Sequence, residues 1–198
     1  MVQPLVVCYG IISYLCIIIV IQNKMVTISK KINDAINAQI NWEMWSGYLY
    51  LSMANNFEAM GHKGIANWFT IQYKEELAHA QIFINYLNSR GGRVLLAPIA
   101  AVPTEWATPL EAFKATLEHE QNVTALINNL YALAEEEKDF ATRQMLNWFV
   151  AEQVEEEDTA RTLIDNFTLI GDNGYGIYQL DTELATRTYT DPSPLQNN

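Results

Sequence analysis

Glu76 and His79 interrupt an apolar stripe that reads Ile65, Phe69, Gln72, Glu76, His79, Phe83, Leu87, the 3–4 spacing of a helix facing a core. A carboxylate on such a face costs on the order of several kcal/mol unless it is paired or binds a metal. Glu-x-x-His points two metal-binding groups the same way from one helix. Three further stripes are broken near their middles, by Glu43, by Glu120, and by Gln153 with Glu156. Four carboxylates converging in a dry layer repel one another and require cations. Oxygen-rich donors with one imidazole and no sulfur suit iron or manganese ahead of structural zinc. Two metal ions fit this donor set, with one carboxylate as a bridge. The bland alternative, a core ion pair between Glu76 and His79, leaves Glu43, Glu120 and Glu156 unexplained.

Four long helices and a short fifth would position these groups. Ser29 suits the N-cap of a first helix running to about residue 60 and stopping at Gly61, with Ile32, Ile36, Gln39, Glu43, Gly47, Tyr50, Ala54 and Phe57 inward. A second helix spans about 63–90 and ends at Gly91-Gly92. The short link between them makes these two antiparallel neighbours. Residues 93–108 carry Pro98 and Pro103 and are too many for a tight turn. At about 3.3 Å per residue they can cross a bundle of roughly 45 Å, the length of a ~30-residue helix. The second and third helices are therefore expected to run parallel, joined by a crossover.

Pro109 suits the first turn of the third helix, about 109–137, with Phe113, Leu117, Glu120, Thr124, Ile127 and Tyr131 inward. The fourth, about 139–170, turns Met145, Phe149, Gln153, Glu156, Ala160, Leu163 and Phe167 inward. Gly171, Gly174 and Gly176 break it, and a fifth helix is expected at about 177–186, before a loose tail at 189–198. The fold class is all-α, a four-helix up-down bundle with a long crossover. Helix midpoints in such a bundle meet in one layer.

Bundles that hold two iron ions supply Glu from each of two helices and Glu-x-x-His from each of the other two. Here the fourth helix offers Gln153-Val154-Glu155-Glu156 instead. One ion would receive Glu43, Glu76 and His79; the other would receive Glu76, Glu120 and Glu156 and no imidazole. The second half should hold metal more weakly, with Gln153 as a neutral hydrogen-bonding neighbour. That asymmetry favours a metal in transit over a permanent cofactor.

The chain has 198 residues, 49% of them hydrophobic, enough for one packed domain, here 25–188. A net charge of -11 argues against nucleic-acid binding and suits attraction of cations, besides aiding solubility. Both cysteines, Cys8 and Cys16, precede residue 25, so the body has no disulfide framework, consistent with a reducing, cytoplasmic compartment. Residues 1–24 read differently from the rest. Their apolar run, 5–21, sits at the short limit of a membrane span and makes a poor signal peptide, lacking a preceding Lys or Arg and a small-x-small cleavage site. Met25 can open an ordinary soluble start, which would make the leader an upstream artefact; a membrane anchor is the alternative.

The body resembles a bacterial non-haem ferritin. The resemblance is carried by Asn41-Trp42-Glu43, Tyr48-Leu49-Tyr50, Tyr73-Lys74-Glu75-Glu76-Leu77-Ala78-His79, Glu118-His119-Glu120 and Ala151-Glu152-Gln153-Val154-Glu155-Glu156-Glu157, at family-like spacing over residues 25–186. It implies iron storage in a hollow 24-subunit cage, and a ferroxidase that oxidises Fe(II) with dioxygen or peroxide at a di-iron centre and stores ferric mineral. Glu43, Glu76 and His79 match the first iron site, Glu120 and Glu156 the second, and Glu76 the bridge. Tyr50 matches a tyrosine beside the centre that can donate an electron. Glu75, Glu152 and Glu155 resemble an additional inner-surface iron site, although a Glu-rich solvated helix face explains them equally well.

Departures from relatives narrow the reading. Bacterioferritins place a haem-ligating Met just after the bridging Glu, where this chain has Leu77, and use Glu-x-x-His on the fourth helix; no haem is expected. A rubrerythrin-like or oxygenase-type enzyme is the nearest competitor, but the chain has no Cys-x-x-Cys module and no length for a substrate domain. A structural shell, or a membrane-anchored iron-handling protein with a genuine leader, is the competitor from another class. His62 and His119 are expected at the surface, His119 because about 100° per residue turns it away from Glu120's face. The five tryptophans are expected in the core or at subunit contacts.

Overall fold

The computed structural model describes residues 27–191; the leader, 1–24, and the tail beyond residue 191 lie outside it. The described residues form five helices and no strand: α1 (Lys30–Met60), α2 (Lys63–Ser89), α3 (Pro109–Glu136), α4 (Phe140–Ile170) and α5 (Gly174–Leu184). None of these helices is long and apolar enough to cross a membrane.

Helix ends follow their capping chemistry. Ser29 Oγ accepts from Ile32 N at 3.3 Å, and Gly61, at φ 86°, closes α1 in the left-handed conformation that glycine adopts most easily. Thr108 caps α3 by accepting from Glu111 N at 3.1 Å, while the Glu111 carboxylate reaches back to Ala107 N at 3.0 Å. Asp139 caps α4 through Thr142 N at 3.1 Å. The fifth helix begins three residues before its expected start, because Asn173 Oδ1 accepts from Gly176 N at 3.0 Å. Gly174 and Gly176 thus lie within its first turn instead of preceding it.

Cross-helix contacts fix the directions. Gln72, Phe83 and Tyr86 of α2 meet Glu156, Phe149 and Thr142 of α4, so these helices are antiparallel. Thr124 and Tyr131 of α3 meet Glu157 and Asn147 of α4 in the same opposed order. Consequently α2 and α3 run parallel, and the segment between them crosses the bundle. Its exposed backbone is tied along one side of α1. Asn37 Nδ2 donates to Arg93 O at 2.9 Å, Trp45 Nε1 to Ala101 O at 3.4 Å, Ser52 Oγ to Pro103 O at 2.7 Å, and Asn56 Nδ2 to Trp106 O at 3.1 Å. Side-chain donors thereby satisfy carbonyls that no regular structure pairs.

The core divides into two apolar clusters. One packs Tyr50, Phe57, Phe69, Phe113 and Phe167. The other packs Ile32, Ile36, Phe83, Ile127 and Phe149. Each fully buried aromatic ring contributes about 1.5–3 kcal/mol by leaving water. Between the clusters lies a polar layer of Gln39, Glu43, Ser46, Gln72, Glu76, His79, His119, Glu120 and Gln153, all buried.

The inward face of α3 differs from the expected one. Thr116, Val123 and Leu130 are buried, whereas Leu117, Thr124 and Tyr131 are only half-buried. Helix α3 packs against both α1 and α4, so its buried arc is wider than one stripe. Helix α5 caps the bundle end, with Leu180 and Leu184 buried against the first cluster.

Candidate metal centre

The layer forms because each long helix carries its polar interruption at matching height, and the two apolar clusters clamp it from both ends. Glu43, Glu76, His79 and Glu120 are each at most 2% exposed, so water cannot compensate their charges. Donor atoms of Glu43, Glu76 and His79 all lie within 4.8 Å of one another. His79 Nδ1 stands 3.6 Å from Glu76 Oε2 and 3.9 Å from Glu43 Oε2, too far for hydrogen bonds. Atoms at that spacing can surround one ion held on the order of 2 Å from each. Glu43 Oε1 accepts from Gln39 Nε2 at 2.8 Å, while Glu43 Oε2 and His79 Nε2 are buried with no hydrogen-bond partner among the described residues. An orphaned carboxylate oxygen facing an imidazole nitrogen fits a cation between them.

Glu120 and Glu156 stand outside this compact group. Tyr50 OH donates to Glu120 Oε1, and Gln153 Nε2 donates to Glu120 Oε2 at 3.1 Å. Gln72 Nε2 donates to both oxygens of Glu156 at 2.8 Å. Glu156 is half-buried as a residue, yet its carboxylate turns inward to Gln72 and feels the charges of Glu120 and Glu76. The centre is therefore lopsided: one half presents unmet donors, while the other keeps its carboxylates occupied by neutral donors.

Burial dominates the electrostatics of both halves. Burial pushes the Glu43 carboxyl well above the ordinary carboxylate range, and the Glu76 charge adds to it. Burial likewise raises Glu76, helped by Glu120, and raises Glu156, helped by Glu120 and then Glu76. Burial and the neighbouring Glu120 charge also raise Tyr50, which keeps its proton and donates it. The raised values favour the protonated forms of Glu43, Glu76 and Glu156 without a cation; a divalent ion would replace those protons and let the charges stand.

Glu75, Glu152 and Glu155 are arranged differently from one another. Glu75 Oε2 accepts from Arg187 Nη2 at 2.7 Å, Glu152 Oε1 lies 3.9 Å from His79 Nε2, and Glu155 is exposed. Burial raises Glu75 despite the opposing Arg187 charge, and burial raises Glu152. Arg187 and the supporting roles of Gln39 and Gln72 were not apparent from sequence. The two glutamines stand one turn before Glu43 and Glu76 on the same stripes, a usable signal. Arg187, beyond the last helix, gives none.

His119 is corrected by the structure. It is 7% exposed, not a surface residue, and its Nε2 lies 2.8 Å from Ser46 Oγ. The rings of Trp45 and Tyr50, centred 5.3 and 5.9 Å away, close the α1–α3 seam over it. Burial lowers its pKa and favours neutral imidazole. His62 is half-buried, its ring 6.3 Å from that of Phe57. Trp68 and Trp106 are core residues; Trp42 is exposed, and Trp148 packs 5.5 Å from the His79 ring.

Similarity to known proteins extends over the same region. Residues 33–170 match the family model described as a ferritin-like domain. A bacterial non-heme ferritin of Bacteroides fragilis is 46% identical over 160 residues, covering 81% of this chain and 99% of that protein. Another from Staphylococcus aureus is 40% identical, covering 82% of this chain and 98% of its own length. Among solved structures, an engineered closed form of the Archaeoglobus fulgidus ferritin superposes with a TM-score of 0.82 at 47% identity, covering 83% of this chain and 100% of that one. An open-pore ferritin of the same archaeon gives 0.80 at 47% identity, over 81% and 98% of the two chains. With identity of this order sustained across the whole bundle, the chain belongs to the ferritin family of iron-storage proteins.

Proposed function

We propose that the layer is a ferroxidase centre, with Fe(II) as substrate and dioxygen or hydrogen peroxide as oxidant. The observation that carries this is the buried Glu43–Glu76–His79 group with its orphaned Glu43 Oε2. Glu43, Glu76 and His79 bind the first ion, Glu76 bridges, and Glu120 with Glu156 binds the second. With dioxygen, two Fe(II) ions give one electron each and dioxygen takes the pair with two protons, leaving hydrogen peroxide. Tyr50, protonated and bonded to Glu120, stands ready as a further one-electron donor. Gln153 steadies Glu120 without charge, which keeps the second half weak and suits iron that moves on to a mineral store.

The remaining assignments extend the same reading. Glu75, Glu152 and Glu155 form an additional cation site on the inner face, with Arg187 as competitor for Glu75. The chain works as a 24-subunit cage in the cytoplasm and uses no haem, Leu77 standing where a haem-ligating Met would be. The test is aerobic addition of Fe(II) to the purified protein, following oxidation and mineral by absorbance. Glu76→Ala and His79→Ala each slow oxidation at least about tenfold while the assembly keeps its size. Unchanged rates in both variants would defeat the assignment. Metal titration provides a second check: the first half fills ahead of the second, and equal, slowly exchanging occupancy of both would contradict the lopsided centre.

A further inference from the structure

The segment after α5 reaches back to the metal layer through one side chain. Arg187 lies over the Trp68 ring, 4.8 Å from its centre, and donates to Trp68 O at 3.3 Å. Its Nη1 also donates to Gln72 Oε1 at 3.0 Å, and its Nη2 to Glu75 Oε2 at 2.7 Å. Gln72 is fully buried one turn before Glu76. Its amide has two ends, a donor and an acceptor, and only one orientation suits Glu156. With Oε1 held by the guanidinium, Nε2 must face Glu156, where it meets both carboxylate oxygens. Were the amide reversed, its oxygen would oppose a carboxylate and turn it away.

Arg187 is itself placed by the docking of α5. Ile65 N donates to Asp181 Oδ1 at 2.9 Å, and Asn67 Nδ2 donates to Leu184 O at 3.2 Å and Arg187 O at 2.9 Å. A chain of directional contacts thus runs from α5 through Arg187 and Gln72 to Glu156. We propose that Arg187 is a positioning residue of the metal centre. It fixes the Gln72 amide, orients the Glu156 carboxylate, and makes docking of α5 a condition for tight binding of the second metal ion. This rests on the reading of Glu156 as a ligand of that ion.

The test is an anaerobic titration of the full chain with Co(II), whose visible ligand-field bands report each binding step. Arg187→Met keeps an apolar stem over Trp68 and removes the donors. It weakens the second Co(II) step about tenfold and leaves the first unchanged, as loss of a group that orients a ligand does. In a Gln72→Ala background the same substitution adds nothing further, because Arg187 acts through Gln72. Asp181→Ala, which loosens α5 without touching Arg187 or its partners, also weakens the second step and spares the first. A second step unmoved in both variants, equal loss at both steps, or additive effects in the Gln72→Ala background would each overturn the proposal. Wild-type protein that takes up only one Co(II) per chain would instead sink the reading of Glu156 as a ligand, and the proposal with it.

Discussion

Gln153 Nε2 donates to Glu120 Oε2 at 3.1 Å, so a neutral amide occupies one oxygen of a buried carboxylate, the other being held by Tyr50. A metal ion binding at Glu120, as proposed for the second half, would have to displace such bonds. Gln153→Ala leaves Glu120 Oε2 without a partner in the metal-free protein, at about 1–3 kcal/mol. Metal satisfies the same oxygen, so the defect shrinks when the centre is loaded. The rise in Tm on adding Zn(II) is therefore larger in Gln153→Ala than in wild type. A calorimetric rise equal to or smaller than wild type's would show that Gln153 does not restrain Glu120.

Glu43 supplies a pH-dependent prediction. Burial holds its native pKa above the unfolded value, so the folded state keeps a proton that the unfolded state has released. That contribution is complete below the ordinary carboxylate range and is lost as pH rises through the native pKa. Glu43→Gln has nearly the same shape and cannot titrate. Metal-free Glu43→Gln therefore gains stability relative to metal-free wild type between about pH 5 and about pH 8. Thermal melts across that interval check it; a constant or narrowing difference in Tm goes against a proton held at Glu43.

Much of this was legible because burial and spacing reinforce each other. Glu43, Glu76, His79 and Gln153 fall on helical stripes whose apolar members are buried, Glu120 on one whose Phe113 and Ile127 are, and Ser29, Gly61 and Pro109 mark helix ends by local chemistry. The parallel course of α2 and α3 followed from the length of the segment between them. What stayed hidden depends on contacts between elements. His119 is buried by rings of α1, a neighbour that periodicity along α3 does not report. Arg187 acquires its partners through the docking of α5, and the start of α5 was set by Asn173, a capping side chain outweighing two glycines.

Arg90 and Asp139 tie the end of α2 to the start of α4. Nη1 donates to Oδ1 and Nη2 to Oδ2, both at 3.0 Å, while Asp139 also caps α4. Burial alone would raise the Asp139 pKa, but hydrogen bonds from Arg90 and Thr142 outweigh it and hold it low. Stability from this carboxylate is present above its unfolded pKa and is lost as pH falls through the native one. Asp139→Ala loses about 1–2 kcal/mol near neutral pH, a cap plus a partly exposed bidentate pair. Urea unfolding should show the deficit shrinking on acidification below about pH 4. A deficit independent of pH would mean that packing, not charge, explains the loss.

Gly64 sits in the first turn of α2, where α5 passes against its backbone. A Cβ there would fall 1.6 Å from Asp181 O and 2.9 Å from Ala185 N, and neither backbone atom can swing aside as a side-chain end can. Gly64→Ala must therefore displace α5, exposing Leu180 and Leu184 and losing the Ile65–Asp181 bond, for about 1–3 kcal/mol. The damage is local, because α1 to α4 keep their own clusters. Hydrogen exchange is expected to quicken in α5 while the amides around Phe83 and Phe149 stay protected. Gly174→Ala is the matched control: a Cβ there meets nothing within 4 Å, and the same exchange of residue in a helix is neutral or stabilising by roughly 0.5–1 kcal/mol. If the two substitutions behave alike, the close approach of α5 to Gly64 is wrong.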